Sequence, residues 1–115
     1  MKILVINDDG IDAPGICTLV DVLKEHHEVY VAAPNDAMSA MGHAITLKHA
    51  VHVEEESIPG VVKAYRIWGT PADCAKIALI YLFSDIPFDV VLSGINNGGN
   101  IGTEVIYSGT FAAAH

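Results

Sequence analysis

Apolar residues along the chain fall into runs of different kinds. Residues 3–6 (Ile-Leu-Val-Ile) and 29–33 (Val-Tyr-Val-Ala-Ala) are short and continuous, and each ends at a polar stop or at Pro34. Strands buried on both faces read this way. Between them, Ile16, Leu19, Val20 and Leu23 recur at i, i+3, i+4 and i+7, which is the stripe of an amphipathic helix ending near residues 24–27. Strand, helix and strand within residues 3–33 predict a βαβ unit with a right-handed crossover.

The middle of the chain is patterned differently. Residues 44–53 mix apolar and polar positions, and residues 61–68 alternate loosely as Val62, Ala64, Arg66 and Trp68. Two more exposed, antiparallel strands are expected there, joined by a solvated acidic turn at 54–60. Thr70, Pro71 and Asp73 then predict a helix start. Threonine caps, proline suits the first helical position, and the aspartate completes a capping-box-like pattern near the positive helix end. Residues 75–83 supply a broad apolar stripe, and 88–92 read as another buried strand before a glycine- and asparagine-rich stretch at 93–102. Repeats, linkers and low-complexity segments are absent. The pattern predicts one α/β domain over residues 1–115: a Rossmann-like, doubly wound, mostly parallel sheet with a small antiparallel insertion.

Composition sharpens this picture. The chain is 51% apolar and 17% charged, as expected of a folded globular domain. Six basic against fourteen acidic residues leave a formal charge of −8, which excludes the basic footprint of a nucleic-acid binder. A small anionic substrate needs a local cation to offset that field. The four apolar residues after Met1 and Lys2 are too few for a signal-peptide core or a membrane span, so a cytoplasmic protein without a membrane partner is expected. Cys17 and Cys74 lie in predicted helices without CxxC spacing. They are expected as small buried hydrophobes in a reducing compartment, not as a disulfide.

Ligands of open parallel sheets bind beyond the carboxyl ends of the strands. The loops at 7–10, 35–39 and 93–100 should therefore emerge on one edge. In the first, Asp8 and Asp9 are adjacent carboxylates whose mutual repulsion is relieved either by a cation between them or by a raised pKa; read singly, Asp-Gly is also a common turn. The third loop offers the amide oxygens of Asn96, Asn97 and Asn100 beside Gly94, Gly98, Gly99 and Gly102, whose backbone can approach a ligand closely. Carboxylate, hydroxyl and amide oxygens select a hard divalent cation such as Mg²⁺ or Mn²⁺. The P-loop pattern is absent. Tyr107-Ser108-Gly109-Thr110 ahead of residues 111–114 reads as a loop entering a helix N-terminus, where N–H groups and hydroxyls suit a phosphate; plain Ser/Thr capping gives the same pattern. Of the six histidines, His49 and His52 are expected on opposite faces of a strand, which argues against zinc, and His43 lies close behind Ser39.

Several motifs stand in a fixed order: NDDG at 7–10, PG at 14–15, AP at 33–34, Ser39, GTPADC at 69–74, SGIN at 93–96 with Gly98 and Asn100, and YSGT at 107–110. This ordered set resembles SurE, the survival protein E family of 5′/3′-nucleotidases, over the whole chain. The resemblance implies a metal-dependent phosphomonoesterase acting on nucleoside 5′- and 3′-monophosphates. It implies one Mg²⁺ or Mn²⁺ per subunit, held by Asp8, Asp9, Ser39 and Asn96, with phosphate held by Asn96, Gly98, Asn100, Ser108, Gly109 and Thr110. Asp8 and Asp9 are then the catalytic pair. Asp8 is the candidate to orient or deprotonate a water, and Asp9 is the firmer ligand. Members of that family run to about twice this length. Their remaining part completes the pocket and adds an oligomerisation arm. A homodimer or homotetramer is expected of the full-length protein, and poor activity of residues 1–115 alone. Residues 36–43 lack the basic or glutamine residues usual just before the serine, so substrate positioning is expected to differ there. The alternative is a non-catalytic nucleotide-binding α/β module, which needs base and phosphate contacts but no acidic pair.

Overall fold

The computed structural model describes residues 1–37, 51–94 and the backbone of the strand at 104–108. In chain order the elements are β1 (Lys2–Ile6), α1 (Pro14–Leu23), β2 (Glu28–Pro34), β3 (Val53–Glu56), β4 (Lys63–Ile67), α2 (Pro71–Ile77), a π-helical turn (Ala78–Leu82), β5 (Val90–Ser93) and β6 (Glu104–Ser108). The described strands form one six-stranded sheet in the order β3-β4-β2-β1-β5-β6. Its central strands β4, β2, β1 and β5 run parallel, and β3 and β6 pair antiparallel on the two outer sides.

The apolar runs of β1 and β2 are continuous because each strand feeds two cores. Alternate residues of a strand point to opposite faces. Ile3, Val5, Val29, Val31 and Ala33 pack with Ile16 and Val20 of α1. Leu4, Ile6, Tyr30 and Ala32 pack with Cys74, Ile77 and Ala78 on the other side. One helix on each face makes the sheet doubly wound, as the sequence predicts. The second core is anchored by Tyr30, which takes Phe83 and Phe88 edge-on with ring centroids 5.1 Å away in both cases. Burying each such ring stabilises the fold by about 1.5–3 kcal/mol.

The start of α2 is built as its sequence predicts. The Asp73 backbone N–H donates to Thr70 Oγ1 at 3.1 Å, and the Thr70 N–H donates to Asp73 Oδ2 at 3.0 Å, a complete capping box. A Cβ on the buried Gly69 would lie 3.1 Å from the Asp73 side chain, so the close-packed glycine leaves that carboxylate its place. The helix ends by widening, with the Phe83 N–H donating to the Ala78 carbonyl at 2.7 Å.

Four sequence expectations change. The acidic run is not a turn: Glu54 and Glu55 lie within β3, paired with Arg66 and Tyr65, and the chain turns only over residues 57–60. An edge strand tolerates glutamates because they point into water and discourage pairing with other chains. Residues 44–50, expected as part of that strand, lie outside the described residues. β4 belongs to the main sheet, parallel to β2, so only β3 is the antiparallel addition on that side. Tyr107 and Ser108 end β6 instead of forming a loop. Cys17 is exposed, while Cys74 is fully buried, and both are free thiols. Among the described residues no helix is long and apolar enough to cross a membrane.

Candidate functional site

From β1 the chain steps to β2 and then β4 on one side, whereas β5 lies on the other side of β1. The strand order therefore reverses between β1 and β5, and open sheets of this kind take their ligands beyond the carboxyl ends of the strands at such a point. Ile6 and Ser93, the last residues of the two strands, are register partners, and the Gly94 N–H donates to the Ile6 carbonyl at 3.0 Å. The NDDG and SGIN motifs thus leave the sheet side by side.

The turn that follows β1 is held from within. Asn7 is completely buried; its side-chain amide donates to the Gly10 carbonyl at 2.8 Å, and its side-chain oxygen accepts from the Gly10 N–H at 3.2 Å. Asn7 and Gly10 thereby close a loop around Asp8 and Asp9. Gly10 has φ +110°, a conformation that side chains disfavour, and a Cβ there would meet Asp36 Cα at 2.8 Å. The Ile11 N–H donates to the Pro34 carbonyl at 2.8 Å, joining this turn to the end of β2. Asp8 is exposed on the result and Asp9 is half-buried. Two carboxylates are thus presented at the switch point on a backbone that hydrogen bonds and close packing already fix.

A second network flanks this turn. Arg66, near the carboxyl end of β4, forms a bidentate pair with Asp12, Nη1 to Oδ2 at 2.9 Å and Nη2 to Oδ1 at 3.0 Å. Its Nη2 also donates to Glu56 Oε1 at 2.9 Å, and its Nη1 to Asn35 Oδ1 at 2.9 Å and the Asn35 carbonyl at 3.3 Å. The Arg66 side chain is only 15% exposed. The hydrogen bond it donates to Asp12, followed by that to Glu56, holds its proton affinity above the ordinary arginine value. Asn35 in turn donates to Asp36 Oδ2 at 3.2 Å and, through its backbone N–H, to the Ile67 carbonyl at 2.8 Å. Arg66, Asp12, Asn35 and Glu56 were not singled out by sequence reasoning as site residues.

Other motif residues prove structural. Cys74 of GTPADC is buried in the core of α2, and burial, then the negative Asp73, pushes its thiol up to about 12. It stays protonated at neutral pH and is no nucleophile. His52 pairs with Glu54 at 2.7 Å and lies edge-on to Trp68 at 4.5 Å, a surface role. A cavity of about 200 Å³ under α1, lined by Ile11, Ile16, Cys17, Val20, Val31 and Ile58 among others, is apolar and separate from Asp8 and Asp9.

Of the predicted site residues, the structure places Asp8 and Asp9 together at the switch point. Ser39, His43, Asn96, Gly98, Asn100, Gly109 and Thr110 lie outside the described residues. The backbone of Ser108 pairs with Val90, whereas Glu104 pairs with Ser93. β6 thus runs antiparallel to β5. Among the described residues no group of three or more His, Cys, Asp or Glu converges as a metal cluster.

These features define an open α/β protein with a paired-carboxylate turn at its switch point. Residues 3–115 match the family described as Survival protein SurE. A protein of Petrotoga mobilis named 5′-nucleotidase SurE is 49% identical over 114 residues, covering 99% of this chain and 45% of that protein. One of the same name from Clostridium beijerinckii is 46% identical over 115 residues, with the same coverage. The crystal structure of the SurE protein from Aquifex aeolicus matches with a TM-score of 0.71 at 35% identity, over 99% of this chain and 45% of that one. The chain belongs to the SurE family, and it spans just under half the length of these relatives.

Proposed function

We propose that this chain carries the metal-binding end of a nucleotidase, a divalent-metal-dependent phosphomonoesterase that hydrolyses nucleoside 5′- and 3′-monophosphates to nucleoside and phosphate. The observation that carries the reading is the Asp8–Asp9 pair on a turn locked by Asn7 and Gly10 at the switch point of the sheet. Two adjacent carboxylates are hard oxygen donors that fit Mg²⁺ or Mn²⁺. The names of the relatives, 5′-nucleotidase SurE, support the substrate class.

Asp8, Asp9, Ser39 and Asn96 would hold the cation, with Asn96, Gly98, Asn100, Ser108, Gly109 and Thr110 on the phosphate. When bound, the cation supplies positive charge against the phosphoryl oxygens and acidifies water. Asp9, half-buried and better shielded, serves as the firmer ligand. Asp8, the more exposed of the two, would orient the attacking water and accept its proton. The formal charge of −8 on these residues favours a bound cation where a phosphate dianion approaches. We further propose a cytoplasmic homodimer or homotetramer for the full-length protein.

The test is phosphate release from nucleoside 5′- and 3′-monophosphates by the full-length protein, first in EDTA and then with Mn²⁺ or Mg²⁺ restored. Activity should vanish in chelator and return with the cation, for both isomers. Hydrolysis that persists in EDTA contradicts the metal role. Tight nucleotide binding without hydrolysis under every cation would make the chain a binding module.

A further inference from the structure

We propose that Arg66 is a positioning residue that holds the acidic turn in its cation-binding shape, an inference that rests on reading Asp8 and Asp9 as ligands. Arg66 touches neither carboxylate in the bonds described above. It grips the far end of the same turn through both oxygens of Asp12 and ties it to the next loop through Asn35. Asn35 is bonded to Asp36, and Gly10 packs directly against Asp36. Residues 7–12 are therefore braced twice on the 35–36 loop, once by glycine packing and once by the arginine fork. Glu56 of the edge strand completes the brace.

Geometry, not charge, is what this arrangement supplies. A free guanidinium beside a cation site would oppose metal binding. Here it is matched by the carboxylates of Asp12 and Glu56 and is largely withdrawn from solvent. The planar fork reaches Asp12, Asn35 and Glu56 at once, which a lysine ammonium cannot reproduce. The pairing also keeps the Asp12 carboxylate, only a few residues from the ligands, from being drawn to the cation in their place.

The two accounts of Arg66 predict opposite signs. If only its charge mattered, Arg66→Gln would tighten Mn²⁺, and Arg66→Lys would leave it unchanged. If it positions the turn, both variants weaken Mn²⁺ by roughly tenfold, the lower end of the loss seen when groups that orient metal ligands are removed. Mn²⁺ affinity of the full-length protein is measured directly by electron paramagnetic resonance, with thermal melting of the metal-free form alongside. Asp12→Ala, a change at an exposed residue, is made in the unmodified and Arg66→Gln proteins. Its effect should be clearly smaller in the second, because the brace is already gone. Unchanged or tighter Mn²⁺ in folded Arg66 variants, or equal Asp12→Ala effects in both backgrounds, overturns the positioning role. A lowered melting temperature with intact Mn²⁺ affinity overturns it too, leaving Arg66 a structural residue. An unmodified protein that binds no Mn²⁺ overturns the ligand reading itself.

Discussion

Gly10 shows how one residue shapes the acidic turn. Its positive φ and its 2.8 Å approach to the Asp36 backbone leave no place for a side chain. Gly10→Ala should therefore strain the backbone by about 1–3 kcal/mol and push the 7–10 turn away from the 35–36 loop. Thermal melting should show the loss of stability, and Mn²⁺ affinity should fall with it. An alanine variant with normal melting and normal metal affinity would mean that the turn is not held as described. The carboxylate pair was legible in the sequence, because two acids ending an apolar strand announce themselves. The reason for the following glycine was not. Asp-Gly is a common turn dipeptide, and only the packing on Asp36 makes a glycine obligatory. Arg66 was equally silent: its role depends on the strand register that sets Glu56 and Asn35 beside it, and periodicity does not encode register.

Elements were legible wherever burial was complete. β1 and β2 announced themselves as unbroken apolar runs because helices cover both faces of the sheet, and the Thr70-Pro71-Ala72-Asp73 start of α2 appears with both halves of its capping box. β3 was hidden because three successive glutamates argue for a loop, and only the position of that strand at the sheet edge makes them tolerable. β6 was hidden because Tyr107 and Ser108 precede a Gly-Thr that reads as a helix entry. The GTPADC motif is, on this structure, an architectural one: a cap, a close-packed glycine and a buried thiol. Thr70→Ala should accordingly cost about 1 kcal/mol of stability. The turnover number and KM of the folded full-length enzyme should stay unchanged. A fall in kcat without a fall in melting temperature would instead put Thr70 at the reaction.

At the scale of the whole molecule, an acidic protein is expected to bind and cleave an anion. The topology bears on that conflict: the strand order reverses beside β1, and the paired acids stand there, where on the proposed reading they would draw in a cation. The most direct measurement is the anomalous diffraction of crystals of the full-length protein grown with Mn²⁺. The expected result is a peak within coordination distance of the Asp9 and Asp8 carboxylates, beyond the carboxyl ends of β1 and β5. A map with no peak at that turn, or with the manganese bound elsewhere, would contradict the metal-dependent reading of the chain.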